Sequence, residues 1–232
     1  MGKLRRKFYK KRMYDNKLMK ALAIVLSKPV TIHDMMIDKK ICKMSLRKYV
    51  PSKYRESHGA TGSSATSYSV LKDIIDVSKL DENSKFIDVG CGKGRVIASL
   101  LNRGVKCKIV GIELNEEVAE IAKSWAKVYD NVEIRCADAF KEDMDQYTDI
   151  FLARPFENEL FKKYIEKLES ELTHETNIYI FVDQLLGNYL DNRDGWSIVK
   201  RDMSYFRKGV FVHITPQRYT VYKYNPKNKV IS

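Results

Sequence analysis

The chain has 232 residues, 44% of them hydrophobic, and carries 42 Lys and Arg against 30 Asp and Glu, for a formal net charge of +12. That is enough apolar material for one sizeable core, and with no internal repeat or low-complexity segment a solenoid or a disordered chain is excluded. The four cysteines (Cys42, Cys91, Cys107, Cys136) and four histidines (His33, His58, His174, His213) are scattered without C-x-x-C spacing, which excludes a disulfide framework and a Cys/His metal site and points to a reducing, cytoplasmic compartment.

The charge is concentrated at the amino-terminal end. Residues 1–55 hold 17 Lys and Arg against three acids, whereas the other 177 residues hold 25 basic and 27 acidic groups. A basic N-terminal extension over residues 1–56 is therefore expected ahead of a main domain over 57–232. Such an extension seeks phosphate, on nucleic acid or on an anionic membrane surface, or serves as a solubilising tail. Within residues 3–12, Phe8 and Tyr9 interleave with seven basic side chains, a pattern that also supports stacking on bases. Residues 16–27 read as an amphipathic helix with Leu18, Leu22 and Leu26 on one face, suited to a membrane surface, to the main domain or to a second copy of the chain. The apolar run is only nine residues long and interrupted by Lys20, too short for a membrane span and without a signal-peptide cleavage site. Arg6 stands where a myristoylation signal wants Ser or Thr.

Residues 58–68 (His-Gly-Ala-Thr-Gly-Ser-Ser-Ala-Thr-Ser-Tyr) read first as a flexible connector. The run 86–96 (Phe-Ile-Asp-Val-Gly-Cys-Gly-Lys-Gly-Arg-Val) reads as a buried strand that turns through glycines into a helix marked by Val96, Ile97, Leu100 and Leu101. Gly90, Gly92 and Gly94 give G-x-G-x-G preceded by Asp88, not the G-x-G-x-x-G of a dinucleotide site, because Arg95 occupies the position after the third glycine. An acid ahead of the loop suits a cationic ligand better than a pyrophosphate. Cys91 reads as a small residue beside ligand, since no base stands at a fixed spacing from it.

Residues 108–113 read as a second strand ending in Glu113 and Leu114, and 132–136 as a third running into Ala137-Asp138-Ala139-Phe140. Residues 147–152 form a fourth strand, followed by Ala153-Arg154-Pro155-Phe156-Glu157. Next come an amphipathic helix over 157–172, a fifth strand over 177–183, and two more over 196–202 and 218–224. This alternation predicts an α/β fold.

Gly90-Cys91-Gly92-Lys93-Gly94 preceded by Asp88 resembles motif I of the class I S-adenosylmethionine (SAM)-dependent methyltransferases, and the whole pattern from 57 to 232 is similar to a bacterial group distantly related to Dot1-like lysine methyltransferases. The resemblance implies a Rossmann-like, seven-stranded, mostly parallel sheet with an antiparallel end and helices on both faces. It implies SAM as cofactor, held by Thr61, Asp88, Gly90, Cys91, Gly92, Gly94, Glu113, Leu114, Asp138 and Ala139, with Glu113 toward the ribose hydroxyls and Asp138 toward the adenine amine. On the residues alone, Asp138 reads equally as a helix cap and Glu113 as a solvated charge. The resemblance also makes Thr61, Thr66 and Tyr68 candidates for a loop folded over the cofactor, and Tyr68, Arg154, Phe156 and Glu157 candidates for the acceptor side, with Tyr68 or Glu157 as base. Relatives acting on adenine or glutamine carry an acid or Asn before Pro-Pro and an aromatic; here Arg154 brings a permanent cation, which argues against those acceptors. The implied acceptors are protein lysine, RNA or a small metabolite. The altered segment equally suits a SAM-binding or nucleic-acid-binding module without catalysis.

Overall fold

A computed structural model describes residues 17–54, 59–77, 79–183, 186, 188–204, 206–207, 210–211 and 217–228. The basic segment 3–12, His58 and His213 lie outside the described residues. Chain order begins with helices α1 (Lys17–Leu26), α2 (Lys28–Cys42) and α3 (Tyr68–Ile75). Strand β1 (Lys85–Val89), α4 (Arg95–Asn102), β2 (Lys108–Glu113), α5 (Glu116–Ala126), β3 (Val132–Cys136), β4 (Asp149–Leu152), α6 (Asn158–Glu171) and β5 (Thr176–Phe181) follow. The chain then forms β6 (Trp196–Met203), a short hairpin β7 (Phe206–Arg207) and β8 (Val210–Phe211), and β9 (Arg218–Tyr224).

The main sheet has seven strands in the order β3-β2-β1-β4-β5-β9-β6. β1 to β5 are mutually parallel, and β9 runs antiparallel to both β5 and β6. The inner parallel strands β1, β2, β4 and β5 are mostly apolar because both faces are covered, whereas the edge strand β3 carries Glu133 and Arg135. Phe86, Phe151 and Tyr179 stack across neighbouring strands on one face, with ring centroids 6.0–6.3 Å apart, beneath α3 and α4. Ile87, Val89, Ile150, Leu152, Ile178 and Ile180 face the other way, against Phe161, Tyr164, Ile165 and Leu168 of α6. The chain leaves β1 in opposite directions along the sheet, toward β2 and toward β4, and a crevice at the carboxyl ends of the strands results there.

The boundary expected at 56/57 falls among undescribed residues, and the described part of the segment ahead of it packs on the helices of the main sheet. Sequence periodicity gave no helix over 28–42, yet α2 packs on α4 and, with the turn after it, contributes Ile41, Cys42 and Leu46 to the core. The reason is a buried ionic knot. Asp38, fully buried, accepts from Arg95 Nε at 3.1 Å and Nη2 at 2.5 Å, from Tyr68 Oη at 2.8 Å and from the Leu46 amide at 3.0 Å. Asp34 adds a contact to Arg95 Nη1 at 3.6 Å and accepts from the Tyr68 amide at 3.1 Å. Four donors on one buried carboxylate offset its desolvation, and they tie the amino-terminal segment to the helix that follows the glycine loop. α1 occupies the place expected for the amphipathic helix and leaves Leu22, Ile24 and Val25 exposed. Among the described residues no helix is long and apolar enough to cross a membrane.

Candidate functional site

The glycine loop closes the crevice at the head of β1. The amides of Gly90 and Cys91 both donate to the Ile112 carbonyl at 2.9 Å, which binds the loop to the end of β2. Gly90, Gly92 and Gly94 have φ of +71°, +57° and +88°, a region that L-residues other than glycine rarely enter. Space is equally restrictive: a Cβ on Gly90 would stand 2.7 Å from Pro155 Cβ, one on Gly92 2.5 Å from Ser63 Oγ, and one on Gly94 2.6 Å from Trp125 Cζ2. Trp125 braces the turn further by donating Nε1–H to the Lys93 carbonyl at 2.9 Å.

Above the loop lies a cavity of about 460 Å³, within the range of small-molecule and cofactor sites. Three adjacent parallel strands each deliver one acid to it. Asp88 sits near the end of β1, Glu113 at the end of β2 and Asp138 just beyond β3. Asp88 is buried, and neither of its carboxylate oxygens has a hydrogen-bond partner. Burial, and then the charge of Glu113, hold its carboxyl well above the usual range. Glu113 is also raised by burial, opposed by amide donors, since Oε2 accepts from Gly92 N–H and Oε1 from Asn115 N–H, each at 2.9 Å. Asp138 caps a single turn of 3₁₀ helix through Phe140 N–H at 3.0 Å, so the cap and the cavity wall are one residue.

The other wall is the segment after residue 58. Ala60 bridges Phe156, Thr61 N–H donates to the Pro155 carbonyl at 3.1 Å, Thr61 Oγ1–H to the Arg154 carbonyl at 2.6 Å, and Glu157 N–H to the Gly59 carbonyl at 2.9 Å. The stretch that reads as a connector is thus zipped onto the loop after β4. The rings of Phe140 and Phe156, centroids 5.4 Å apart, supply the apolar end of the pocket, backed by Tyr164.

Of the residues singled out by sequence, Thr61, Asp88, Gly90, Cys91, Gly92, Glu113, Leu114, Asp138, Ala139 and Phe156 line this cavity. Gly94 does not; it makes the turn that lets Trp125 approach. Tyr68 is taken elsewhere. Its hydroxyl is committed to Asp38, the Arg95 guanidinium lies 5.3 Å from its ring centre, and burial and then the charge of Asp38 raise its pKa far above that of a free phenol. Arg154 and Glu157 also lie off the cofactor cavity, with Arg154 Nη2 3.8 Å from Glu157 Oε2. Sequence reasoning missed Ser63, Lys93 and Arg95 as wall residues. Lys93 is buried and hydrogen-bonds the Lys48 carbonyl, and burial lowers its pKa. Its place between Gly92 and Gly94 was the available signal. The Cys91 thiol is pushed well up by burial, and Cys42, Cys91, Cys107 and Cys136 are all free.

The donor set fits SAM. Orphaned Asp88 oxygens offer acceptors to an ammonium, the acids favour a sulfonium over a pyrophosphate, and the glycine cradle has no room for side chains.

The comparisons with known proteins agree. Residues 80–183 match the family model described as a methyltransferase domain. The chain is 30% identical over 83 residues, 36% of its length, to the ribosomal RNA small subunit methyltransferase A of Staphylococcus haemolyticus, of which 27% is covered. It spans less than a third of the curated relatives it matches. Among solved structures, an RNA methyltransferase from Salinibacter ruber in complex with S-adenosylhomocysteine (SAH) superposes with a TM-score of 0.53 at 22% identity, covering 72% of this chain and 95% of that one. A methyltransferase from Pyrococcus furiosus gives 0.54 at 17% identity, covering 84% and 96%. These likenesses establish the fold. The matched segment, residues 80–183, contains the glycine loop and the three acids that line the cavity.

Proposed function

We propose that the protein transfers the methyl group of SAM to an RNA acceptor. The observation that carries the cofactor half is Asp88, a buried acid with both oxygens unpartnered in a cavity it shares with Glu113 and Asp138. When bound, SAM supplies a methyl group that an acceptor lone pair takes as the carbon–sulfur bond breaks, the bonding electrons staying on sulfur to leave SAH. The residues here therefore need to bind and orient. Asp88 would accept from the ammonium, Glu113 from the ribose, and Phe140 and Phe156 would exclude water around the adenosine end. Aligning two bound reactants contributes on the order of 7–11 kcal/mol to such a reaction.

The RNA half is supported by the basic excess of residues 1–55 and by the RNA acceptors named for the Staphylococcus and Salinibacter relatives. The test is incubation with methyl-labelled SAM and separated RNA, protein and small-molecule fractions. Label in RNA supports the proposal. Label in protein favours the lysine acceptor implied by the Dot1-like resemblance, and SAM binding without transfer favours a non-catalytic module.

A further inference from the structure

A second cavity, about 390 Å³, lies beside the cofactor pocket and shares with it the wall formed by Thr61, Thr66 and Ala153. It opens at the carboxyl ends of β4 and β5, where two non-glycine residues are held in the left-handed region: Arg154 at φ +52° and Val182 at φ +65°. Valine is β-branched, so this conformation survives only because the surroundings impose it. They do so by fixed hydrogen bonds: Val182 N–H donates to the Arg218 carbonyl at 2.8 Å, and the Arg154 carbonyl is gripped by Thr61 Oγ1. Arg154 thereby lines this second cavity and not the first.

Arg154 Nε is buried without a hydrogen-bond partner. Among the described residues the one carboxylate within 4 Å is Glu157, at 3.8 Å from Nη2, beyond hydrogen-bond reach. With Nε unsatisfied and Nη2 short of a hydrogen bond to Glu157, the half-exposed guanidinium has donor capacity left for an anion at this wall. At the rim stands Tyr49, more than half exposed and packed on Gly62, where a Cβ would fall 2.3 Å from its hydroxyl oxygen. We propose that Arg154 is the anion-binding residue of the acceptor site and receives a phosphate of the methyl acceptor, with Tyr49 beside the group attached to it. This deepens the function proposed above and rests on that reading. A lysine acceptor would meet like charge here, whereas a nucleic-acid strand or a phosphorylated small molecule would not.

The test combines two measurements on wild type, Arg154→Lys and Arg154→Asn, asparagine being a residue that tolerates a positive φ. Thermal melting checks that each variant folds. Sodium pyrophosphate titrated into the SAH complex should bind wild type, bind Arg154→Asn about tenfold to a hundredfold more weakly, and bind Arg154→Lys in between, with SAH affinity the same in all three. In the labelled-SAM assay, the KM for RNA should rise by a similar factor in Arg154→Asn. Equal pyrophosphate affinity in wild type and Arg154→Asn, or no binding by wild type, overturns the anion site even where RNA is methylated. Arg154-dependent binding with label only in phosphorylated small molecules keeps the site and removes RNA as acceptor. If wild type does not bind SAH, the methyltransferase reading fails, and the same titration on the free protein still decides for or against Arg154.

Discussion

Replacing Asp88 with Asn should weaken SAM binding and at the same time stabilise the ligand-free protein. Both carboxylate oxygens are buried and lack protein donors, so the whole hydrogen-bonding capacity of the group is open to ligand. A hydrogen bond to a charged group is worth about 1.5–3 kcal/mol, so losing one raises the Kd roughly 10- to 150-fold. The ammonium is common to SAM and SAH, and both should weaken alike in isothermal titration calorimetry. Stability moves the other way. Because burial and Glu113 raise the folded-state pKa of Asp88, its contribution is intact below the ordinary carboxylate pKa and is lost as pH rises through the raised value. The unfolding free energy of ligand-free Asp88→Asn should therefore match wild type near pH 4 and exceed it above by about 1.4 kcal/mol per pH unit, levelling off past the raised pKa, with the melting temperature rising in step. A cationic ligand lowers that pKa again, so binding below it should release a proton, visible as a dependence of the calorimetric heat on buffer ionisation enthalpy. Unchanged Kd values for both ligands, or a lower melting temperature at neutral pH, would refute the assignment of Asp88 as the unpaired acid awaiting a cation.

Other outcomes are equally specific. Gly92→Ala should lose about 1–2 kcal/mol from the left-handed backbone alone, a fall of roughly 2–8 °C in Tm for a domain of this size, with further loss of SAM affinity because Ser63 must move; an unchanged Tm by calorimetry would mean that the loop conformation differs. Arg95→Met strands Asp38 and Asp34 in the interior and should cost about 3–5 kcal/mol in urea unfolding. Adding Asp38→Leu should recover part of that loss, and additivity of the two would mean that the ionic knot is not coupled. Removing residues 1–16, which carry seven basic groups, should flatten the dependence of log K for single-stranded RNA on log salt by up to about 5, measured by fluorescence anisotropy; an unaltered slope would show that this segment does not contact phosphate.

The sequence by itself determined the sheet and the position of the glycine loop that lines the cavity. β1, β2, β3, β5, β6 and β9 begin and end within two residues of where the sequence pattern places them: the inner strands show as apolar runs and the edge strands β3 and β6 as β-branched residues mixed with polar ones. The turn through Gly90, Gly92 and Gly94 was legible for the same local reason, since positive φ and close approach both demand glycine. What local pattern does not encode is which distant segments meet. Arg95 closes on Asp38 57 positions away and Tyr68 on the same carboxylate from 30 positions away, and these contacts help turn α2 from an appended helix into part of the core. Thr61 reaches the Arg154 carbonyl across 93 positions, and this clasp, with the Thr61–Pro155 and Glu157–Gly59 backbone bonds, turns a Gly/Ser/Thr stretch into a wall between two cavities. Glu113 likewise becomes the anchor of the Gly92 amide because the end of β2 lies beside the loop. Buried charges need partners, and only the folded chain decides which partners are near enough to satisfy them.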